Sequence, residues 1–226
     1  MLKKLILLAL LIAGLAVFLV GCNINIGGNS VRGTGNMVTR DIDVGNFTAI
    51  DISGNYIVTF RQAPQIALTV VMQENLFDHL TVDTSGNTLQ VGSRRGFDTT
   101  TANRPRLYVY APLLTAAEFS GAVNATGWDL VEGQSFSVEI SGAANFDADL
   151  AVEELSINIS GAGNLTLRGT AGTIDVDGSG AFNISAGDLE IGGGRVDISG
   201  AANVTLSTLD NVNVSSSGIA RVRAAD

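Results

Sequence analysis

The chain has 226 residues, with 13 Lys+Arg against 22 Asp+Glu, 27 Gly, one Cys and one His. A single Cys excludes an internal disulfide framework and a Cys-based zinc site, and a single His excludes most His-clustered metal sites. A sequence pI near 4.5 argues against nucleic acid as a partner.

Met1-Leu2-Lys3-Lys4 is a short basic segment, Leu5 to Val20 is an unbroken apolar run, and Leu19-Val20-Gly21-Cys22 follows. This resembles a bacterial lipoprotein signal ending in its lipobox, with the chain's one Cys at the required place. Sixteen apolar residues span only about 24 Å as a helix, short of the roughly 30 Å hydrocarbon layer. The resemblance implies removal of residues 1–21 and acylation of Cys22, which would hold the chain to a membrane. Residues 22–36 are rich in Gly and Asn with no apolar period, and read as a flexible tether.

Residues 37–119 carry irregularly spaced strand patterns. Candidates are Ile50–Val58, Ile66–Met72, His79–Asp83, Thr88–Val91 and Arg106–Tyr110, with a hairpin turn at Thr84-Ser85-Gly86-Asn87. This part is expected to begin and cap a larger repeat. Ser53-Gly54-Asn55 is an early echo of that repeat.

From residue 120 the motif S-G-A-x-N recurs. The copies start at Ser120, Ser141, Ser160, Ser179 and Ser199, with a degenerate Ser217-Gly218-Ile219-Ala220-Arg221. Alternating apolar residues flank each copy, as in Phe136/Val138/Ile140, Leu155/Ile157/Ile159, Ile174/Val176, Val196/Ile198 and Val212/Val214. The period of two predicts strands, and no helical period competes. Near-constant spacing predicts an all-β fold, a right-handed parallel β-helix of about 19–20 residues per coil, spanning residues 37–226.

Parity places Ser and Asn together. Run straight, the strand would show Ser141, Asn145, Ser160, Asn164, Ser179, Asn183, Ser199 and Asn203 to solvent as a ladder. A bend at the Gly, which tolerates φ > 0, would let Asn turn inward and stack on the Asn above. The bend is the preferred reading.

Three features occur together: Phe47-Thr48-Ala49-Ile50-Asp51-Ile52-Ser53-Gly54, the pair Leu80–Asp83 and Thr88–Val91, and the S-G-A-x-N array. Together they resemble the bacterial family described as putative auto-transporter adhesin, head GIN domain, over roughly residues 40–226. The resemblance implies an envelope-exposed all-β solenoid.

Candidate chemistry is sparse. His79 beside Asp78 would point away from it on a strand. The pairs Asp147/Asp149 and Asp175/Asp177 share a face and could serve a polysaccharide lyase or hydrolase, or bind calcium weakly, but a solvated acidic face explains them as well. Arg94, Arg95, Arg104 and Arg106 flank a Thr-rich loop and are a candidate anion-binding loop. Trp128 is expected to pack at a coil corner.

The expectation is therefore a cell-envelope, lipid-anchored, extracytoplasmic protein. It would bind or adhere through the Ser/Asn ladder or the Arg loop, without catalysis and without a cofactor. The partners expected are the membrane, through the anchor, and a glycan or surface protein. A lyase or hydrolase on the same scaffold, or a structural or signalling role in the envelope, are the alternatives.

Overall fold

The structure, a computed structural model, describes residues 30–225. The expected signal peptide, the acylated Cys22 and the tether up to residue 29 lie outside the described residues. Among the described residues, no helix is long and apolar enough to cross a membrane.

The chain winds into a β-solenoid of parallel stacked strands. Alternation is the cause. Along Val131–Ile140, Phe136, Val138 and Ile140 are buried, while Ser135, Ser137 and Glu139 are exposed. Ala143–Ile159 and Ala162–Gly178 then run 17 residues each, in register from Ala143↔Ala162 to Ile159↔Gly178. Equivalent apolar residues therefore stack tier on tier: Val138, Ile157, Val176 and Val196 form one inward column. Where the column of Ile140 and Ile159 reaches Gly178, the ring of Phe182 occupies the space that a side chain would take. The core so keeps its volume while exchanging which rung supplies it.

The repeat bends at Ser-Gly, and the Gly has a steric reason. A Cβ on Gly161 would lie 1.9 Å from the carbonyl oxygen of Gly142, and one on Gly180 would lie 1.7 Å from that of Gly161. The same contact recurs at Gly121, Gly142, Gly200 and Gly218, so the column runs seven deep from Gly54 to Gly218. The carbonyls of Gly54, Gly121, Gly142, Gly161 and Gly180 each accept a hydrogen bond from the next tier's residue after Gly, as in Ala162 N–H to Gly142 at 2.9 Å. Of the seven, only Gly54 has positive φ. Close backbone approach, not the left-handed conformation expected from the sequence, demands glycine here.

Residues 37–119 do begin and cap the stack, in an order that the chain does not follow. Ala49–Ile52 is sandwiched between Thr88–Ser93 and Ala116–Phe119, and Asn55–Gln62 between Arg106–Ala111 and Ala122–Ala125, all parallel. Outside them the pairing turns antiparallel. Ala67–Gln73 lies on Arg106–Ala111, Met37–Ile42 on Ala67–Gln73, and Leu80–Ser85 on Thr88–Ser93. Gly86, at φ +60°, turns the expected hairpin. His79 ends a short 3-10 segment, Glu74–His79, instead of opening a strand.

The expected tether boundary moves. Val31–Arg32 pairs in parallel with Phe97–Asp98, and Asn75 clamps it, accepting from Thr34 N–H at 2.8 Å and donating to the Arg32 carbonyl at 2.9 Å. Apolar Val31 packs on the core, so residues 31–36 are held by the domain. At the far end, among the described residues, Val212–Ser216 and Ile219–Ala224 pair on one side only. Val214, expected as a core rung, is 41% exposed because no described coil covers it.

Trp128 does pack at a corner. It is buried, donates its Nε1–H to the Val58 carbonyl at 3.0 Å, and meets the rings of Phe60, Phe119 and Phe146.

Candidate binding face

The sheet after the Ser-Gly bend carries the motif's polar residues outward. In Ala143–Phe146, Ala143 and Asn145 are exposed while Ala144 and Phe146 are buried, and the same holds at Ala181–Ile184 and Ala201–Val204. The preferred inward turn of Asn is thus corrected. The chain bends, but it resumes strand alternation at the Ala, and the following x residue takes the inward place.

Parallel registry stacks the Asn side chains. Asn164 Nδ2–H donates to Asn145 Oδ1 at 3.1 Å, Asn183 to Asn164 at 3.0 Å, and Asn203 to Asn183 at 3.0 Å. Each amide has two N–H donors and an oxygen with two lone pairs, so the inner members keep one donor and one lone pair for solvent or a ligand. Ser141, Ser160, Ser179 and Ser199 are exposed at the bend, two residues before the outward Ala column.

The Ala column is the floor of an open furrow along the solenoid axis. One stretch, of about 400 Å³, is lined by Arg104, by Ala122, Ala143, Ala162 and Ala181 and by the adjoining Asn amides. A second, of about 410 Å³, shares Ala181 and Asn183 and continues past Ala201 and Asn203 to Ile219 and Arg221. The sequence reading missed this floor, although the A of S-G-A-x-N marks it. It also missed Arg221, which occupies the Asn position of the last copy, in register with Asn203.

The four arginines do not act as one group. Arg94 and Arg95 are exposed in the turn after Thr88–Ser93, where Arg94 N–H donates to the His79 carbonyl. Arg106 lies in register with Ile57. Arg104 reaches down the stack. Its Nε donates to Asn55 Oδ1, and its NH2 group donates to the Ala122 carbonyl at 3.3 Å. Among the described residues no hydrogen bond or ion pair joins Arg94 or Arg95 to Arg104 or Arg106.

One of the two carboxylate pairs is engaged by an arginine. Arg168 pairs with Asp147 at 2.5 Å and with Asp149 at 2.8 Å. Arg195 pairs with Asp197, in register with Asp177. On the other sheet Asp51, Glu118 and Glu139 stand in consecutive tiers. Burial, then the Asp51 and Glu139 charges, hold the Glu118 carboxyl above its usual range, and burial does the same for Asp51. Among the described residues, no group of three or more His, Cys, Asp or Glu is placed to hold a metal ion.

Solved structures share this fold. A putative adhesin from Bacteroides fragilis superimposes with TM-score 0.74 at 16% identity, covering 87% of this chain and 100% of that one. A putative lipid binding protein from Parabacteroides distasonis gives TM-score 0.64 at 14% identity, with the same coverage. A putative adhesin from Parabacteroides merdae gives 0.53 at 17%, covering 88% and 100%. At these identities the likeness is one of fold. No curated protein matches the chain. The model of one family matches residues 46–225, which hold every copy of the repeat and the cap apart from Met37–Ile42, and the chain belongs to that family, described as putative auto-transporter adhesin, head GIN domain.

Proposed function

We propose that this chain is a cell-envelope lipoprotein whose solenoid is a non-catalytic, extracytoplasmic binding and adhesion module. The observation that carries the reading is the Asn ladder, a straight and exposed column of side-chain amides held in register by the fold. A repeating surface of this kind suits a repeating or extended ligand, a glycan or a surface protein. The Arg168 pairing supports the non-catalytic part. Asp147 and Asp149 both hold one guanidinium, at 2.5 Å and 2.8 Å, whereas the two carboxyl groups of a glycosidase flank the scissile bond. The lysine-led apolar segment and Cys22 support anchoring, with the membrane as the partner of the acylated end.

The test is binding of the full chain, in detergent solution, to immobilised peptidoglycan, lipopolysaccharide and acidic and neutral polysaccharides, with each polymer's chain length followed. Mass spectrometry of the membrane-extracted protein reads the acylation of Cys22. Saturable binding without shortening, on an acylated chain, is expected. Shortening of any polymer would replace the reading with that of a lyase or hydrolase.

A further inference from the structure

We infer that the Ala-floored furrow between Arg104 and Arg221 is a binding site for a linear acidic polysaccharide. This rests on the adhesion reading above and names its ligand.

Shape sets the first limit. The furrow follows the solenoid axis across the tiers of Ala122, Ala143, Ala162, Ala181, Ala201 and Ile219. Parallel strands lie about 4.8 Å apart, so those five steps run about 24 Å. The furrow is open along its length and has no deep end, which favours an extended polymer over a compact small molecule.

Chemistry sets the second. The floor is a row of exposed methyl groups, and the wall is a row of amides. Each inner Asn spends one donor and one acceptor position on its ladder neighbours and turns the rest outward. Methyls below and alternating donors and acceptors beside are what a chain of sugar rings requires, since each ring offers C–H faces and hydroxyl edges. A peptide strand would need unpaired backbone groups, and along the inner tiers these are already paired to both neighbours.

Charge sets the third. The chain carries 22 Asp+Glu against 13 Lys+Arg, yet no carboxylate lines either stretch of the furrow. The charged groups that do line it are Arg104 at one end and Arg221 at the other. Arg104 is held by Asn55 and the Ala122 carbonyl, so its guanidinium is fixed at the furrow's mouth with donors left over. A uronate-type polymer places carboxylates along its length, and two of them can meet the two guanidinium groups while neutral hydroxyls meet the amides.

The experiment uses the full chain in detergent solution with three probes: polygalacturonate, its fully methyl-esterified form, and phosphatidylglycerol vesicles. Two exposed positions are varied, Ala162→Trp to block the floor and Arg221→Gln to remove one cation. Unchanged circular dichroism and melting show that both variants fold. Expected is saturable binding of polygalacturonate, weakened about tenfold or more by the methyl ester and by Ala162→Trp, and severalfold by Arg221→Gln. Equal binding of both polymer forms, full binding by Ala162→Trp, or binding of the vesicles alone would overturn the inference. If another immobilised polymer binds in a way that Ala162→Trp abolishes, the acidic-polysaccharide assignment falls while the adhesion reading stands. If no polymer binds, or any is shortened, both fall.

Discussion

The carbonyl oxygen of Gly142 occupies the place where a Cβ on Gly161 would lie, 1.9 Å from it. That contact sets how closely the bends nest, and each bend repeats it. Replacing Gly161 with Ala must push two tiers apart or distort the bend, and the obstructing atom is backbone, which cannot rotate away. Gly161→Ala should cost about 1–3 kcal/mol, an overpacking penalty. For a domain of this size that is a fall of several degrees in melting temperature, read by circular dichroism. Ala at Gly35, whose added Cβ would meet nothing within 4 Å, carries no such clash and tests only its positive φ.

The Trp128 ring meets that of Phe146 edge-on, with centroids 5.0 Å apart, and Phe146 also lies against Phe119 and Phe136. Phe146→Ala opens a cavity in the middle of this cluster and should cost about 3–5 kcal/mol. Trp128 is the chain's only tryptophan, so its fluorescence reports on this site alone. Emission should shift to the red in the variant, and urea midpoints should fall with it.

Glu118 gives the pH dependence. Its folded pKa lies above the ordinary carboxyl value of 4.5, through burial first and then through Asp51 and Glu139. Between that value and the folded pKa the native state binds more protons than the unfolded chain, so stability falls as pH rises through this window. Below it both states are protonated and the penalty is absent. Glu118→Gln should therefore raise the melting temperature near neutral pH and leave it unchanged at about pH 3. The side chain stays largely open to water and its carboxyl is only partly desolvated, so solvent screening keeps the gain to about a degree or two. A variant that melts lower than the parent near neutral pH would contradict this assignment.

The Asn ladder is a surface feature with a small share in stability. Asn164→Ala removes two side-chain hydrogen bonds, both exposed to water. The cost should be about 1 kcal/mol or less by thermal melting. A much larger loss would make the ladder a structural spine.

Much of this was legible in the sequence because a parallel solenoid repeats its own register. The inward column of Val138, Ile157, Val176 and Val196 follows from alternation plus a period near 20. The outward Asn did not follow as readily, since one residue of slip at the Ser-Gly bend inverts the side chains beyond it. The stacking of Ser53-Gly54-Asn55 beneath Ser120-Gly121-Ala122 spans 67 residues, and the strands between them leave no periodic trace. Placing Thr88–Ser93 and Arg106–Ala111 outside earlier strands is a matter of long-range pairing. The arrival of Arg104 at the furrow depends on that pairing, so no local pattern in the sequence marks it.

Binding through one face of the solenoid is tested most directly by blocking each face in turn. Ala162→Trp fills the furrow, and Ser156→Trp places the same ring on the other sheet, at an exposed position in register with Asp175. Beads coated with the full chain would be retained on a polygalacturonate surface under flow. Retention should be lost with Ala162→Trp and kept with Ser156→Trp. Loss with Ser156→Trp and retention with Ala162→Trp would place the working face on the other sheet and contradict that expectation.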